Sequence, residues 1–266
     1  FTGGRFDPSP FPPRTMRNGA PNVWPAFDGI DGVFKLHENK LRFDVDRGHY
    51  RNFVLRNVSG RIEELGIKGS DIVIEGSGRG PLADLLDYAD NSSIGYMSKH
   101  ATAKVRAQGQ STLALKLTIP RHPMPKVLLA GAIGFENNTL TAKNVPPVSK
   151  LTGQVRFTNH SANVDRLTAR FLGGDLRASG GMRDDGHYKV DVAGDVAVDA
   201  ARGLDLHGMA AAALGRLSGA APYSLSVAGQ RGRLPDVKAN AELTGLALDL
   251  PAPFGKAAGT PMPLTF

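Results

Sequence analysis

In the run GQSTLALKLTIP, Gly109 to Pro120, leucine or isoleucine stands at every second place. Successive side chains of a strand point to opposite sides, so this period puts Leu113, Leu115, Leu117 and Ile119 on one face and Thr112, Lys116 and Thr118 on the other. A helix of 3.6 residues per turn would scatter the same residues around its axis. The period recurs in KLRFDVDRG, where Leu41, Phe43 and Val45 alternate with Arg42, Asp44 and Asp46. It recurs again in LTGQVRFTNHSANVDRLTARFLGGDLRASGG, Leu151 to Gly181, which predicts Val155, Phe157, Leu167 and Phe171 on the apolar face and Arg156 and Arg170 on the charged one. A one-residue slip would turn every side chain to the wrong side, so the pattern also fixes the facing.

Two stretches break the period. PLADLLDYAD sets Leu82, Leu85 and Leu86 at helical spacing behind Pro81, which suits a first helical turn. The expected helix runs over 81–90, with a shorter one near 96–100. DAARGLDLHGMAAAALGRLSG repeats Leu206, Met209, Ala213 and Leu217 at helical spacing, so a second helical insertion is expected near 199–217. The proline-rich start, DPSPFPPRTMRNGAP, lacks the backbone donors of a central strand, and 1–23 reads as an irregular lead-in. The expected organisation is a first β-segment over 24–120 carrying the insertion near 81–100, and a second over 121–266 carrying the other. GVFKLHENKL, GAIGFENNTL and GQVRFTNHSANV share one plan: glycine, alternating strand, Asn-rich turn, second strand. Asn tolerates the left-handed conformation of hairpin turns, so each reads as a hairpin.

The chemistry of a reaction centre is missing from the sequence. The seven histidines are dispersed, there is no cysteine, and no HExxH or GxSxG occurs. No metal or cofactor is expected. GSGRG, Gly76 to Gly80, lacks both the dinucleotide spacing and the P-loop lysine, and reads as a strand-to-helix turn. The carboxylate pairs Asp44/Asp46 and Asp184/Asp185 read as solvated charge on a strand face and in a turn. The net charge of +7 is spread among acidic residues rather than gathered into a block, so no nucleic-acid footprint is expected. The chain opens on Phe1 and contains no apolar run long enough to span a bilayer; it is expected to be a piece of a longer protein.

A sheet with one apolar face must cover it. A second sheet, barrel closure or acyl chains would each serve, and a face of Leu, Val, Ala and Ile with few aromatics suits all three.

Four phrases carry a resemblance. They are WPAFDGIDGVFKLHENKLRFDVDRG with Trp24, Pro25, Gly29 and Gly32; PLADLLDYADNSSIGYMSKHATAKVRAQGQSTLALKLTIP; LTGQVRFTNHSANVDRLTARFLGGDLRASG with Phe171, Leu172, Gly173 and Gly174; and LPAPFGKAAGTPMPL with Pro251, Pro253, Gly255 and Lys256. In this order they resemble the YhdP-like branch of the AsmA-like family of Gram-negative bacteria. The resemblance implies a periplasmic piece of a protein anchored in the inner membrane by a helix outside this stretch. It implies a long curved antiparallel sheet forming an open, taco-like groove with an apolar floor, along which phospholipid moves towards the outer membrane. The implied partners are phospholipid acyl chains, the rest of the parent chain and envelope proteins, with no catalytic residue to carry over. On that reading Leu113, Leu115, Leu117, Ile119, Val155, Phe157, Leu167 and Phe171 are the groove candidates. The competing reading is a non-catalytic β-sandwich scaffold of the envelope, and a glycan hydrolase using a carboxylate pair stands third.

Overall fold

The structure is a computed structural model, and it describes residues 1–9, 22–66, 70–97, 99–100, 102–120, 128–203, 214–251 and 255–265. Strands dominate. They are β1 (Gly4–Phe6), β2 (Phe27–His37), β3 (Lys40–Tyr50), β4 (Phe53–Ile62), β5 (Ile72–Pro81), β6 (Val105–Ile119), β7 (Leu128–Ala142) and β8 (Val145–Thr158). There follow β9 (Ala162–Phe171), β10 (Gly173–Met182), β11 (His187–Ala197), β12 (Leu217–Gln230), β13 (Asp236–Glu242), β14 (Leu246–Leu248) and β15 (Pro263–Thr265). The strand order is β1 through β13 and then β15, with β14 set against β12, so neighbours in sequence are neighbours in the sheet. The path ends in two different strands and does not close into a barrel. The helices are short: α1 (Leu82–Asp90), α2 (Ser93–Met97) and α3 (Val198–Ala201). The mainly β, antiparallel character is what the period-two pattern predicts, and a long sheet that does not close is what the family resemblance implies.

Internal contacts divide the chain into two units, one of 1–138 with 156–159 and one of 139–155 with 160–266. In the first, apolar residues meet row by row. Leu36 opposes Leu41, Leu41 opposes Ile62, Ile62 opposes Ile72 and Ile72 opposes Ile119. The next row runs Phe34, Phe43, Gly60, Ile74, Leu117. Directly opposed residues share a face, so five strands build one apolar surface. Glycines in it make room for rings: a Cβ on Gly60 would lie 2.0 Å from the Phe43 ring, and one on Gly78 would lie 2.3 Å from the Phe53 ring.

GSGRG therefore has a different role from the expected turn. It lies inside β5, which runs on to Pro81 before α1 begins. Its glycines are flat seats for side chains of β4. At Gly80 the neighbour is backbone, with a Cβ position 2.5 Å from Phe53 Cα and 2.8 Å from the Asn52 carbonyl oxygen. Gly80→Ala is accordingly expected to destabilise the first unit by about 1–3 kcal/mol in urea unfolding, since main chain cannot swing aside. Gly215→Ala, with nothing within 4 Å of its added methyl, is the silent control.

Helix α1 starts after Pro81 and closes one end of this surface. Leu82 is 2% exposed and Phe53 3%. Asp84 accepts from the Asn52 amide at 3.0 Å, and the Tyr50 hydroxyl donates to Asp87 at 2.6 Å. Burial first, then the bond to the Asp87 carboxylate, pushes the Tyr50 phenol up to about 12, so this tether stays protonated across the neutral range. Phe27 and Tyr50 meet Tyr88 with ring centroids 5.1 and 5.0 Å away, and Trp24 lies at 6.4 Å. The second short helix falls at Ser93–Met97, three residues earlier than its spacing suggests.

The second unit repeats the plan. Tyr188, Val190, Val192 and Val196 on β11 oppose Met182, Gly180, Ala178 and Gly173 on β10, and Gly229, Val227, Leu225 and Ala221 on β12. Its small core gathers Val198 of α3 with Ala221 and Leu246, ringed by Val196, Leu217 and Leu243. The Lys256 ammonium donates to the Leu243 and Leu246 carbonyls at 2.8 and 2.7 Å, pinning the C-terminal segment there. Of the helical insertion expected over 199–217, Val198–Ala201 and 214–216 are helical, Leu217 opens β12, and Leu206, Met209 and Ala213 lie outside the described residues.

Three further expectations are corrected. GAIGFENNTL is no hairpin: β7 runs through it, Asn137 taking φ of 56° inside the strand. The reason is Asn138, fully buried, which accepts from the Glu136 amide at 2.8 Å and donates to the Gln108 carbonyl at 3.0 Å. The side chain thus stitches β7 to β6 in place of a turn. GVFKLHENKL and GQVRFTNHSANV do turn where their Asn residues stand, between β2 and β3 and between β8 and β9. Second, the alternating run read from Leu151 onward starts earlier: β8 begins at Val145 and includes Pro146 and Pro147. Third, β9 is not strictly alternating: Ala178 opposes Leu167 but Gly180 opposes Val164, a bulge that leaves Asp165 and Arg166 both exposed.

Candidate functional site

The residues with the strongest period are all half-buried. Leu113, Leu115, Leu117 and Ile119 sit on β6 opposite Gly78, Gly76, Ile74 and Ile72. Phe157 joins them: a Cβ on Gly131 would lie 2.6 Å from its ring and 3.1 Å from Leu115 Cδ1, so ring and leucine cover the same glycine. In the second unit Leu167 lies over Gly153, whose Cβ would fall 2.9 Å from Leu167 Cδ2, two residues before Val155 on β8. Phe171 is half-buried at the end of β9, opposite Gly174. Each unit therefore assembles its own group: Leu113, Leu115, Leu117, Ile119 and Phe157 in the first, and Val155, Leu167 and Phe171 in the second.

What covers these faces decides what they can do. In the first unit α1 stands at the Phe53 end, and the Phe1 ring meets Phe34 at 5.2 Å at the other. There Phe34 is 60% and Leu36 67% exposed. No side chain of the eight candidates is fully buried.

The opposite faces are charged and paired. Lys116 reaches Glu75 across β5 and β6 at 2.6 Å, and Arg79 pairs with Glu136. The Lys116 hydrogen bond, then its charge, holds the Glu75 carboxyl below its ordinary range. Arg156 and Arg170 are exposed, as their alternation predicts, while Thr112 and Thr118 are half-buried. A depression of about 470 Å³ lies on the polar side of the second unit, among Arg166, Arg177, Ser179, Ser224, Lys238 and Asn240. Nothing in the sequence singled it out; its parts come from five strands and meet only through register.

Asp44 and Asp46 are exposed on β3, and Asp184 and Asp185 are exposed in the turn after β10. Asp185 accepts from the His187 amide at 3.0 Å, and that bond, before the nearby imidazole, keeps its carboxyl low. Among the described residues no group of three His, Asp or Glu side chains could hold a metal ion, and no helix is long and apolar enough to cross a membrane.

In a comparison with known families, the model of a family described as YhdP protein matches residues 6–266. No curated protein and no solved structure matches the chain.

Proposed function

Because the chain belongs to the YhdP protein family, we propose that it is a periplasmic, non-catalytic segment of an inner-membrane-anchored envelope protein, and that its apolar sheet faces hold phospholipid acyl chains in transfer towards the outer membrane. The observation that supports this reading is the apolar surface running from Phe34 and Leu36, both largely exposed, across to the half-buried Leu113–Ile119 among the described residues. Aliphatic side chains at half exposure offer a tail the same contacts that a core would offer, at roughly 25 cal/mol per Å² removed from water. An unbranched hydrocarbon lying across five strands would cover surface that the protein itself leaves wet. The charged outer faces keep such a sheet soluble and leave the apolar side as the place where a tail gains most.

The test is lipid capture. The chain, expressed with export to the periplasm and purified without detergent, should carry phospholipid detectable by mass spectrometry of its organic extract. A photoreactive residue in place of Leu115 should crosslink to lipid, and one in place of exposed Ala114 on the opposite face should not. Absence of lipid together with equal crosslinking from both positions would refute the acyl-chain reading and leave the scaffold reading in its place.

A further inference from the structure

The polar depression of the second unit uses none of the apolar face. It is built by register. Ser179, Asp191, Ser226 and Lys238 form one row across β10 to β13, and Arg177, Ala193, Ser224 and Asn240 form the next. The β9 bulge falls opposite Ser179 and turns the Arg166 guanidinium side to the same face. Small residues, Ala193 and three serines, leave the middle low, while long cationic side chains stand around it.

Its electrostatics are unbalanced. Among the described residues no ion pair within 4.0 Å joins Arg166, Arg177 or Lys238 to a carboxylate, unlike Arg79, Lys116 and Lys189. Two carboxylates border the depression, and both are already engaged. Asp191 meets the Lys189 ammonium at 3.2 Å, and Asp165 has a bonding partner of its own. The Ser226 hydroxyl, and after it Lys189, holds the Asp191 carboxyl low, so its charge is answered from within the sheet. What remains is three cations with the Ser179 and Ser224 hydroxyls and the Asn240 amide between them, and no aromatic ring to stack a base or a sugar. Arg177 and Lys238 stand three strands and one row apart, about 16 Å at strand spacing and rise, a span that two long side chains close around one anionic group.

The geometry points to a site for a phosphate group carrying two negative charges, held by Arg166, Arg177 and Lys238 on the polar face of the second unit. The group could come from a soluble phosphate ester or from a lipid headgroup, and the chemistry of recognition is the same. The site is independent of the acyl-chain reading, because it lies on the other side of the sheet.

Titration of the labelled chain with inorganic phosphate, followed by amide chemical shifts, tests it. Saturable shifts are expected at Ser224, Ser226 and Asn240, with sodium chloride at equal ionic strength giving none. Arg177→Ser and Lys238→Ser should each weaken binding about tenfold or more, as loss of a charge-assisted contact does. Lys35→Ser, on the polar face of the first unit, should leave it unchanged. A second arm measures sedimentation with vesicles of phosphatidylcholine containing phosphatidic acid. Vesicle binding with the same ranking of variants supports the site and names a headgroup as the source. Phosphate binding without vesicle binding supports it and names a soluble ester. No saturable response in either arm, or equal weakening by Lys35→Ser, overturns it. Leu115→Asp should leave phosphate binding intact, so the two readings fail separately.

Discussion

Leu115→Asp is expected to cut lipid capture by the purified chain tenfold or more while leaving it folded. The side chain sits opposite Gly76, against the Phe157 ring, in the middle of the apolar rows. It is half-exposed in the empty protein, so a carboxylate there reaches water and unfolding is not required. When a tail lies across the sheet, that water is excluded, and an ion in apolar surroundings costs several kcal/mol. Each 1.4 kcal/mol is a factor of ten in affinity. Phe157→Arg should behave in the same way. The matched control is Ala114→Asp, one residue along, exposed on the opposite face and facing Ser77. It is a better control than Lys116→Asp, which would set a carboxylate against Glu75 in place of an ion pair. Phospholipid content by mass spectrometry, normalised to folded protein, reads the effect. Equal lipid loss in both variants would show that charge in general, and not the apolar face, governs capture. Unfolding by Leu115→Asp alone would point to a face covered by protein, as in a sandwich.

Phe53→Ala is expected to be the most destabilising single truncation in the first unit, by about 3–5 kcal/mol. It is 3% exposed, its ring lies on Gly78, and α1 is tied beside it through the Asn52 amide bond to Asp84. Phe34→Ala, removing an equal ring that is 60% exposed, should cost less than about 1 kcal/mol, because that ring is already in water. Trp24 is the only tryptophan and stands in the aromatic cluster beside Tyr88, so its fluorescence reports this end directly. A urea transition followed through Trp24 should therefore move to much lower denaturant for Phe53→Ala and hardly at all for Phe34→Ala. Similar shifts for the two would mean that α1 does not close a core.

The parts of this fold that the sequence discloses are those governed by period. Leu113 to Ile119 reach their face because nothing interrupts alternation between them, and α1 forms where three leucines switch to helical spacing behind a proline. The hidden parts are those decided by a neighbouring strand. GSGRG has no pattern of its own; its glycines answer to Phe53 and Val58 on β4, and only the pairing of β4 with β5 brings them together. Asn137 and Asn138 have turn chemistry, but a buried amide bridge to β6 keeps the strand going. The β9 bulge breaks alternation by a single residue, which a face-by-face reading of Val164 and Leu167 could have caught, since their parities disagree. The phosphate site is the extreme case: it has no motif, because each strand contributes one or two polar residues at places where almost any polar residue would suit the sheet.

The strand order has a kinetic consequence. Because the strands from β2 to β13 each pair with the one just before them, most ladders close as hairpins, and the wider loops are those that carry the insertions between β5 and β6 and between β11 and β12. Loop-closure entropy grows with separation, and chains rich in short-range contacts cross lower barriers than those that must join distant ends. A chain of this kind can lay down its sheet while it is still emerging from a ribosome or a translocation channel, each new strand finding its template already in place. The order of appearance and the order of assembly coincide, and an interruption part-way leaves a shorter sheet of the same kind with an open last edge, waiting for the next strand.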